Sequence, residues 1–212
     1  MRSTPLIVLL LAPLLVACQR PVEAAPARTQ DAPAVAGTHV PATRVPLARL
    51  LDSLAIPADR VHFRVDKSER KFRVEARLGG EGAKDTVLVT YPCVLGESPE
   101  GDKFMQGDRR TPEGTFTFRS KRVHDRWHKF IWIDYPNAES WRRYRERVAQ
   151  GHIPPGKDIG GEIGIHGVPE GMDAWIVEGV DWTWGCIALK NADVDEIYPY
   201  IRPGTTLITI EP

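Results

Sequence analysis

The chain has 212 residues with 28 basic and 28 acidic side chains, and a formal net charge of zero argues against binding nucleic acid through a general basic field. Hydrophobic residues make up 42% of the sequence and charged residues 26%, which is typical of a globular protein and excludes an intrinsically disordered chain. Three cysteines are too few for a disulfide scaffold or a four-thiolate zinc site, and their odd number leaves at least one without an internal partner.

The N-terminal residues 1–17 have the pattern of a secretory signal peptide, with an apolar run too short for a transmembrane helix. The run ends in Leu15-Val16-Ala17-Cys18, which resembles the bacterial lipobox, whose cysteine is lipidated and becomes the new N-terminus. This resemblance implies a lipid anchor on Cys18 and a periplasmic location; an ordinary signal peptide with a chance cysteine is the alternative. Gln19, rather than aspartate, favours the outer membrane by resemblance to enterobacterial sorting.

A tether and a short helix are predicted between the anchor and the main domain. Residues 18–44 are rich in proline and alanine, cannot bury enough apolar surface to fold, and are predicted to form the tether. In residues 45–60, Pro46 suits the first turn of a helix that Pro57 ends. Leucines at helical spacing are predicted to form its one apolar face: Leu47, Leu50, Leu51 and Leu54.

Residues 61–212 are predicted to form one mainly β domain with a few short helices. Apolar and polar residues alternate over residues 61–65 and 72–78, which indicates a hairpin with one buried face. Short strands separated by glycine and proline turns favour a β-sandwich or a barrel-like sheet. The further strands are predicted at residues 86–91, 115–119, 130–135 and 205–210.

Two helices are predicted to interrupt these strands. The first begins at the N-cap Asn137 and ends near Gln150, with Gly151 following. It carries a mostly solvated face of arginines, namely Arg142, Arg143, Arg145 and Arg147. The second begins near Asn191 and kinks or ends at Pro199, because proline cannot donate a main-chain hydrogen bond.

A histidine and a cysteine in the last third of the chain are the strongest candidates for chemistry. His166 ends a predicted strand, and Cys186 follows 20 residues later, enough for a loop and a return strand to bring the two side by side. An imidazole within hydrogen-bond reach can deprotonate a thiol and make it a nucleophile. From these residues alone, a buried structural cysteine stays open as the alternative.

Two separated motifs carry a family resemblance. The pair Ile165-His166-Gly167 and Gly185-Cys186-Ile187-Ala188-Leu189 resembles the L,D-transpeptidase (YkuD-type) catalytic domain, which has His-Gly followed by Ser/Thr-x-Gly-Cys. An earlier stretch resembles the turn-rich connection between two core strands of that family; it contains Gly96, Gly101-Asp102-Lys103 and the run from Gly107 to Gly114. The resemblance covers residues 60–212 and implies a β-rich L,D-transpeptidase domain.

The resemblance implies acyl transfer on peptidoglycan stem peptides. Cys186 would attack the peptide bond that follows the L-centre of diaminopimelate, releasing D-alanine and leaving a thioester. An amine from another stem peptide, a protein or an amino acid would then resolve the thioester. His166 would act as general base and acid, and the Gly167 carbonyl would orient it. No cofactor or metal is implied, and the only further partner is the membrane, through the lipid anchor.

The rest of the predicted site surrounds these residues. Main-chain N–H groups around Trp184 to Cys186 are the predicted oxyanion hole, and Thr183, Trp184 and Gly185 are the predicted oxyanion or substrate-binding residues. Arg109 is a candidate for binding a substrate carboxylate through paired hydrogen bonds, with a solvated turn residue as the alternative.

Two positions depart from the family motif. Ala188 stands where the family commonly has arginine, and Trp184 stands where histidine is frequent. These departures put the acyl acceptor in question, so a hydrolase using the same site (an L,D-carboxypeptidase, endopeptidase or amidase) is the alternative to a transferase. A wall-binding lipoprotein without catalysis is a third hypothesis.

Other candidate residues receive non-catalytic interpretations. His124 and His128 have an i, i+4 spacing but lack the glutamate of a zinc protease, so we expect polar surface or groove lining and not a metal site. Cys93 is predicted to be a buried small hydrophobic residue, and no disulfide is predicted. Asp181 either holds the loop before Cys186 or simply lies in a turn.

Overall fold

The computed structural model describes residues 44–79, 82 and 84–212. The predicted signal peptide, the candidate lipidation site Cys18 and almost all of the tether lie outside the described residues. Within the described ranges, no helix is long and apolar enough to cross a membrane.

Eight strands and four α-helices form the described domain. The strands are β1 (Val61–Asp66), β2 (Lys71–Arg77), β3 (Asp85–Pro92), β4 (Gly114–His124), β5 (His128–Ile133), β6 (Gly164–His166), β7 (Ile187–Ala188) and β8 (Leu207–Glu211). The helices are α1 (Leu47–Ser53), α2 (Ala138–Ala149), α3 (Ala174–Val177) and α4 (Asn191–Ile197), with 3₁₀ turns at Ala58–Arg60 and Tyr198–Tyr200.

The strands form one mixed sheet in the order β3-β2-β1-β8-β4-β5-β6-β7. β1 and β8 are parallel, as are β6 and β7, and the other neighbours are antiparallel. Isolated bridges between Val94 and Ala188 and between Gly96 and Thr183 join the segment after β3 to the region of β7. The two outer strands of the sheet therefore approach each other, and the predicted mainly β, barrel-like class with a few short helices is confirmed.

The alternating sequence patterns produce the buried face of this sheet. Phe63 on β1 and Phe72 on β2 are fully buried, and their rings lie 5.4 Å apart, while Phe118 on β4 meets Phe63 edge to face at 5.8 Å. Two predicted core residues lie outside it: Leu54 is 51% exposed beyond the end of α1, and Leu78 is 44% exposed beyond the end of β2. Both follow the last residue of their element, where the periodic pattern no longer fixes the direction of the side chain.

Helix α2 has the predicted cap, but its arginines do not form one solvated face. The Asn137 side chain accepts a hydrogen bond from the Ser140 N–H at 3.0 Å. Arg143 and Arg147 donate to the Asp102 carboxylate at 2.8 and 2.7 Å, and each also donates to a main-chain carbonyl of the segment over residues 103–113. The prediction of a solvated face was wrong for these two arginines, because helical periodicity cannot show which loop packs against a helix.

Candidate active site

The candidate nucleophile and base lie on neighbouring parallel strands. His166 is the last residue of β6, and Cys186 directly precedes β7; Ile165 pairs with Ile187 and His166 with Ala188. Because side chains alternate along a strand, Cys186, Ala188 and His166 share one face. The connection between the strands is therefore a parallel crossover that contains α3, and not the simple return strand that the spacing suggested.

The imidazole of His166 is fixed in one tautomer and enclosed by aromatic rings. Its Nδ1 lies 2.6 Å from the Gly167 carbonyl oxygen, which can only accept a hydrogen bond, so Nδ1 carries the proton and Nε2 keeps a lone pair. The rings of Trp127, Phe130 and Trp182 lie 5.0, 5.4 and 5.7 Å away, and His166 is only 3% exposed.

Burial also sets the charge of this imidazole. It lowers the pKa of His166 to about 4, although the hydrogen bond to the Gly167 carbonyl opposes the change. The imidazole is therefore neutral at pH 7 and can accept a proton at Nε2.

The thiol of Cys186 is half-buried and protonated in the free protein. It donates to the main-chain carbonyl of Glu162 with a sulfur–oxygen distance of 3.7 Å. Burial raises the pKa of Cys186 to about 11, although the Gly164 N–H and the charge of Lys103 act in the opposite direction. The candidate pair therefore rests as a neutral thiol and a neutral imidazole, and nucleophilic attack requires a proton transfer between them.

The segment before Cys186 is a tight turn that depends on Thr183 and Gly185. The Thr183 hydroxyl donates to the Cys186 carbonyl at 2.6 Å and accepts the Gly185 N–H at 3.2 Å. Gly185 has a φ of +122°, and a Cβ at this position would lie 2.6 Å from the Arg110 carbonyl oxygen, so only glycine fits. Since the turn itself uses the Gly185 N–H, the other N–H groups of the predicted oxyanion hole are those of Trp184 and Cys186.

A cavity of about 200 Å³ opens beside the thiol. Trp184 and Arg109 stand at its rim: Trp184 is 72% exposed, and the Arg109 guanidinium lies 4.1 Å from the centre of its indole ring. Arg109 also pairs with Glu97 at 3.2 Å, so its charge is partly neutralised. Residues that line the cavity are Lys103, Gln106, Gly107, Arg109, Gly160, Gly161, Glu162, Ile163, Trp184 and Cys186.

The glycine-rich stretch over residues 96–114 contributes Lys103, Gln106, Gly107 and Arg109 to the lining of this cavity. The Asp108 carboxylate accepts hydrogen bonds from the N–H groups of Phe104, Met105 and Arg110 and from the nearly buried Lys103 ammonium, at 2.6–3.1 Å. These bonds and the Lys103 charge lower the pKa of Asp108 against the effect of burial, so the carboxylate stays ionised. The second sequence motif is thus a rigid loop that positions main-chain atoms around the thiol.

Asp181 holds the loop before Cys186, the first of the two alternatives predicted for it. Its carboxylate accepts the Leu95 N–H at 2.8 Å and a paired hydrogen bond from Arg70 at 3.0 and 2.7 Å. The carboxylate is almost buried, with 7% of the side chain exposed. It therefore ties the segment before the nucleophile to the chain that follows β3.

Comparison with known proteins identifies the family. Residues 60–210 match the L,D-transpeptidase catalytic domain family, YkuD. The chain belongs to this family. No curated protein matches the sequence.

Solved structures show the same fold at low sequence identity. Bd1075 of Bdellovibrio bacteriovorus is 23% identical, with a TM-score of 0.50 over 72% of this chain and 48% of that one. A variant of the helical cell shape determining protein Pgp2 of Campylobacter jejuni is 22% identical, with a TM-score of 0.50 over 71% of this chain and 46% of that one. An L,D-transpeptidase from Mycobacterium smegmatis is 16% identical, with a TM-score of 0.44 over 72% of this chain and 59% of that one. The chain thus matches about half the length of the first two proteins.

The position of the common family arginine is apolar in this member. Ala188 is fully buried and belongs to a small cluster with Val94, Val168 and Ile176, against which Trp182 packs. Because residue 188 lies on the same face as Cys186 and His166, an arginine there would stand beside the candidate pair. In this chain the neighbours of residue 188 in this cluster are hydrophobic side chains.

The remaining predicted residues have structural surroundings. His124 and His128 lie at the facing ends of β4 and β5; His124 Nδ1 accepts main-chain N–H groups, and His128 Nε2 meets Asp195 at 2.6 Å. The spacing of these two histidines is therefore that of a hairpin and not of a helical metal site. Cys93 is 1% exposed in the main core, its thiol is free as predicted, and burial raises its pKa to about 12.

Metal-ligand atoms meet at one place within the described residues. His62, Glu75 and Asp85 bring three such atoms together on β1 to β3. Arg64 and Arg77 pair with the two carboxylates, so the charges of this group are already balanced by protein side chains.

The sequence did not reveal Glu162, and it indicated Phe130 only as part of a predicted strand and Trp132 only as a core or groove-wall residue. Phe130 stacks on His166, and Glu162 supplies the carbonyl that meets the thiol. Glu162 follows Gly160-Gly161, a turn signal without any chemical signature. Its role depends on a main-chain atom, which no residue type in the sequence reveals.

Proposed function

We propose that the protein is a peptidoglycan L,D-transpeptidase that works through a cysteine thioester. The observation that carries the proposal is that His166 ends β6 and Cys186 directly precedes the adjacent parallel strand β7, with Nδ1 of the imidazole bound to the Gly167 carbonyl. This arrangement leaves Nε2 as the only ring nitrogen able to accept the thiol proton. Membership in the family supplies the substrate class, the stem peptides of peptidoglycan.

The proposed reaction follows from the resting state of the pair. His166 Nε2 takes the Cys186 proton as the sulfur attacks the carbonyl after the L-centre of diaminopimelate, and main-chain N–H groups of the turn stabilise the oxyanion. The C–N bond then breaks, D-alanine leaves with the proton from His166, and a thioester remains. An amine attacks the thioester, gives its proton to Nε2, and the thiol is restored as the new amide forms.

Hydrolysis is the second candidate outcome, and Ala188 favours it. The family arginine would place a fixed positive charge and several hydrogen-bond donors beside the thioester, where they could orient an incoming acceptor. The apolar cluster around Ala188 has no such group. Water would then resolve the thioester, and the protein would act as a carboxypeptidase, endopeptidase or amidase.

The deciding experiment uses purified protein and disaccharide tetrapeptides, with products identified by mass. A crosslinked dimer supports the transferase, and tripeptide alone supports the hydrolase. The Cys186→Ala and His166→Gln variants serve as matched controls, because both should abolish either product. Full activity in Cys186→Ala would refute a cysteine mechanism, and an inert wild-type protein that still binds peptidoglycan would favour the non-catalytic alternative.

We also propose that Cys18 carries lipid and that residues 18–44 tether the domain to the outer membrane from the periplasmic side. The support is the Leu-Val-Ala-Cys sequence at the end of the apolar run. Growth with an alkyne-labelled fatty acid should label the wild-type protein and leave Cys18→Ala unlabelled. Equal labelling of both proteins would contradict the assignment, and fractionation of the two membranes would test the location.

A further inference from the structure

Glu162 adopts a backbone conformation that a glutamate rarely takes, and its side chain bonds to two strands of the sheet. Its φ is +57°, in the left-handed region that favours glycine. The carboxylate accepts one hydrogen bond from Arg119 on β4 and one from the Trp132 indole N–H on β5, both at 2.8 Å. Two strands of the sheet thus contact the side chain of this residue, which is 73% exposed.

The main-chain carbonyl of the same residue meets the thiol. Its oxygen accepts the Cys186 S–H, so the left-handed turn at Glu162 decides where the sulfur rests. The carboxylate of Glu162 also contributes a negative charge that raises the pKa of the thiol, in addition to the larger effect of burial. Both the carbonyl and the carboxylate therefore favour the protonated sulfur.

Trp132 connects this turn to the wall of the base. Its ring packs on Phe130 with a centroid distance of 4.3 Å, and Phe130 in turn stacks on His166 at 5.4 Å with nearly parallel rings. Trp132 therefore bonds Glu162 directly and reaches the imidazole of His166 through a single intermediate, Phe130. A change in the position of Trp132 would alter the relation between the two.

We propose that Glu162 is a positioning residue: with its carboxylate tethered to Arg119 and Trp132, it holds its own carbonyl against the Cys186 thiol and keeps the nucleophile in register with His166. The inference rests on the proposed function, in that Cys186 is taken as the nucleophile. In the resting protein burial keeps the sulfur protonated, and its hydrogen is donated to this carbonyl. Before attack, substrate binding then has to redirect the hydrogen bond donated by the Cys186 thiol from the Glu162 carbonyl to Nε2 of His166.

The test compares Glu162→Ala and Trp132→Phe in the full-length protein. Glu162→Ala removes the tether, and Trp132→Phe removes only the N–H donor while keeping an aromatic ring on Phe130. Glu146→Ala and Trp141→Phe, on the exposed part of α2, are the matched controls. The first readout is the rate at which iodoacetamide alkylates Cys186 between pH 6 and pH 11, measured from the mass of the peptide that contains Cys186. This assay needs no peptidoglycan. The second is kcat and KM with a tetrapeptide.

The expected result is a divergence between the two readouts. Alkylation of Cys186 at pH 7 should become faster in Glu162→Ala than in the controls, because the loss of one nearby negative charge lowers the pKa of the thiol and raises its thiolate fraction. In the same variant kcat should fall by at least about tenfold with little change in KM, because the freed sulfur is no longer aligned with the base. Trp132→Phe should shift both readouts in the same directions by smaller factors.

Two outcomes would overturn the inference, and a third would separate it from the proposed function. Alkylation profiles equal to those of the controls would show that the turn does not govern the thiol. A parallel fall of alkylation and kcat, together with a lowered Tm, would show a general loss of structure. If the alkylation profile shifts as expected while even the wild-type protein leaves peptidoglycan unchanged, the positioning role stands and the proposed function fails.

Discussion

The buried imidazole of His166 makes the stability of the fold depend on pH. Its pKa is about 4 in the folded protein against 6.5 for an ordinary histidine, so the unfolded chain binds a proton more readily. A pKa that is lower in the folded state contributes stability that is present above pH 6.5 and is lost as the pH falls towards 4. The full contribution is about 3 kcal/mol, and about 2 kcal/mol of it should disappear between pH 7 and pH 5.

Urea unfolding of the wild-type protein and of His166→Gln at pH 7 and pH 5 measures this contribution. Other groups also titrate in this range, including Asp193, whose pKa burial raises to about 6, but they act in both proteins and cancel in the difference. The free energy of unfolding should therefore fall by about 2 kcal/mol more in the wild type than in His166→Gln. An equal loss in both proteins would refute the claim that His166 is held neutral by burial.

Three further changes have expected outcomes. Gly185→Ala should cost about 3 kcal/mol of stability and abolish activity, because its Cβ would meet the Arg110 carbonyl. Gly107→Ala, with open space around its Cβ, should cost only about 1 kcal/mol. Equal effects of the two substitutions in urea unfolding would contradict the close approach at Gly185. Asp181→Ala should cost about 2–3 kcal/mol and lower kcat, since it leaves a buried N–H group unpaired; an unchanged Tm would argue against this role. Asn137→Ala should cost about 1 kcal/mol with normal kcat, and a larger loss of activity would show that the α2 cap matters to the site.

Much of the fold was predictable because it depends on local patterns. The alternation of apolar and polar residues on β1 and β2 requires only that one face of each strand is buried and the other is exposed. The N-cap at Asn137 requires only the main-chain N–H of Ser140, three residues later. Strand ends were less predictable: β4 was expected to end at Arg119 but runs to His124, because pairing with β5 continues past a bulge. Sequence periodicity ends where the buried face ends, whereas hydrogen bonding between strands can continue in a solvated hairpin.

The candidate site was predictable only in part. Cys186 and His166 stood out because thiol and imidazole chemistry is a property of residue types, and Gly185 because a tight turn before a reactive residue often needs glycine. The parallel crossover between β6 and β7, the aromatic enclosure of His166 and the carbonyl of Glu162 did not stand out. Each of these depends on residues distant in sequence or on main-chain atoms, which have no residue-specific signature.

The sequence by itself determined the class of fold, the family resemblance and the two residues on which the proposed chemistry depends. The tertiary structure decided their state: burial among rings of the β4–β5 hairpin and Trp182 makes the imidazole neutral, and burial keeps the thiol protonated, with its S–H donated to the Glu162 carbonyl. It also showed that Ala188 sits in a closed apolar cluster rather than in a vacant arginine site. The physical reason is that proton affinity depends on desolvation and on hydrogen-bond partners, and both are set by groups that only folding brings together.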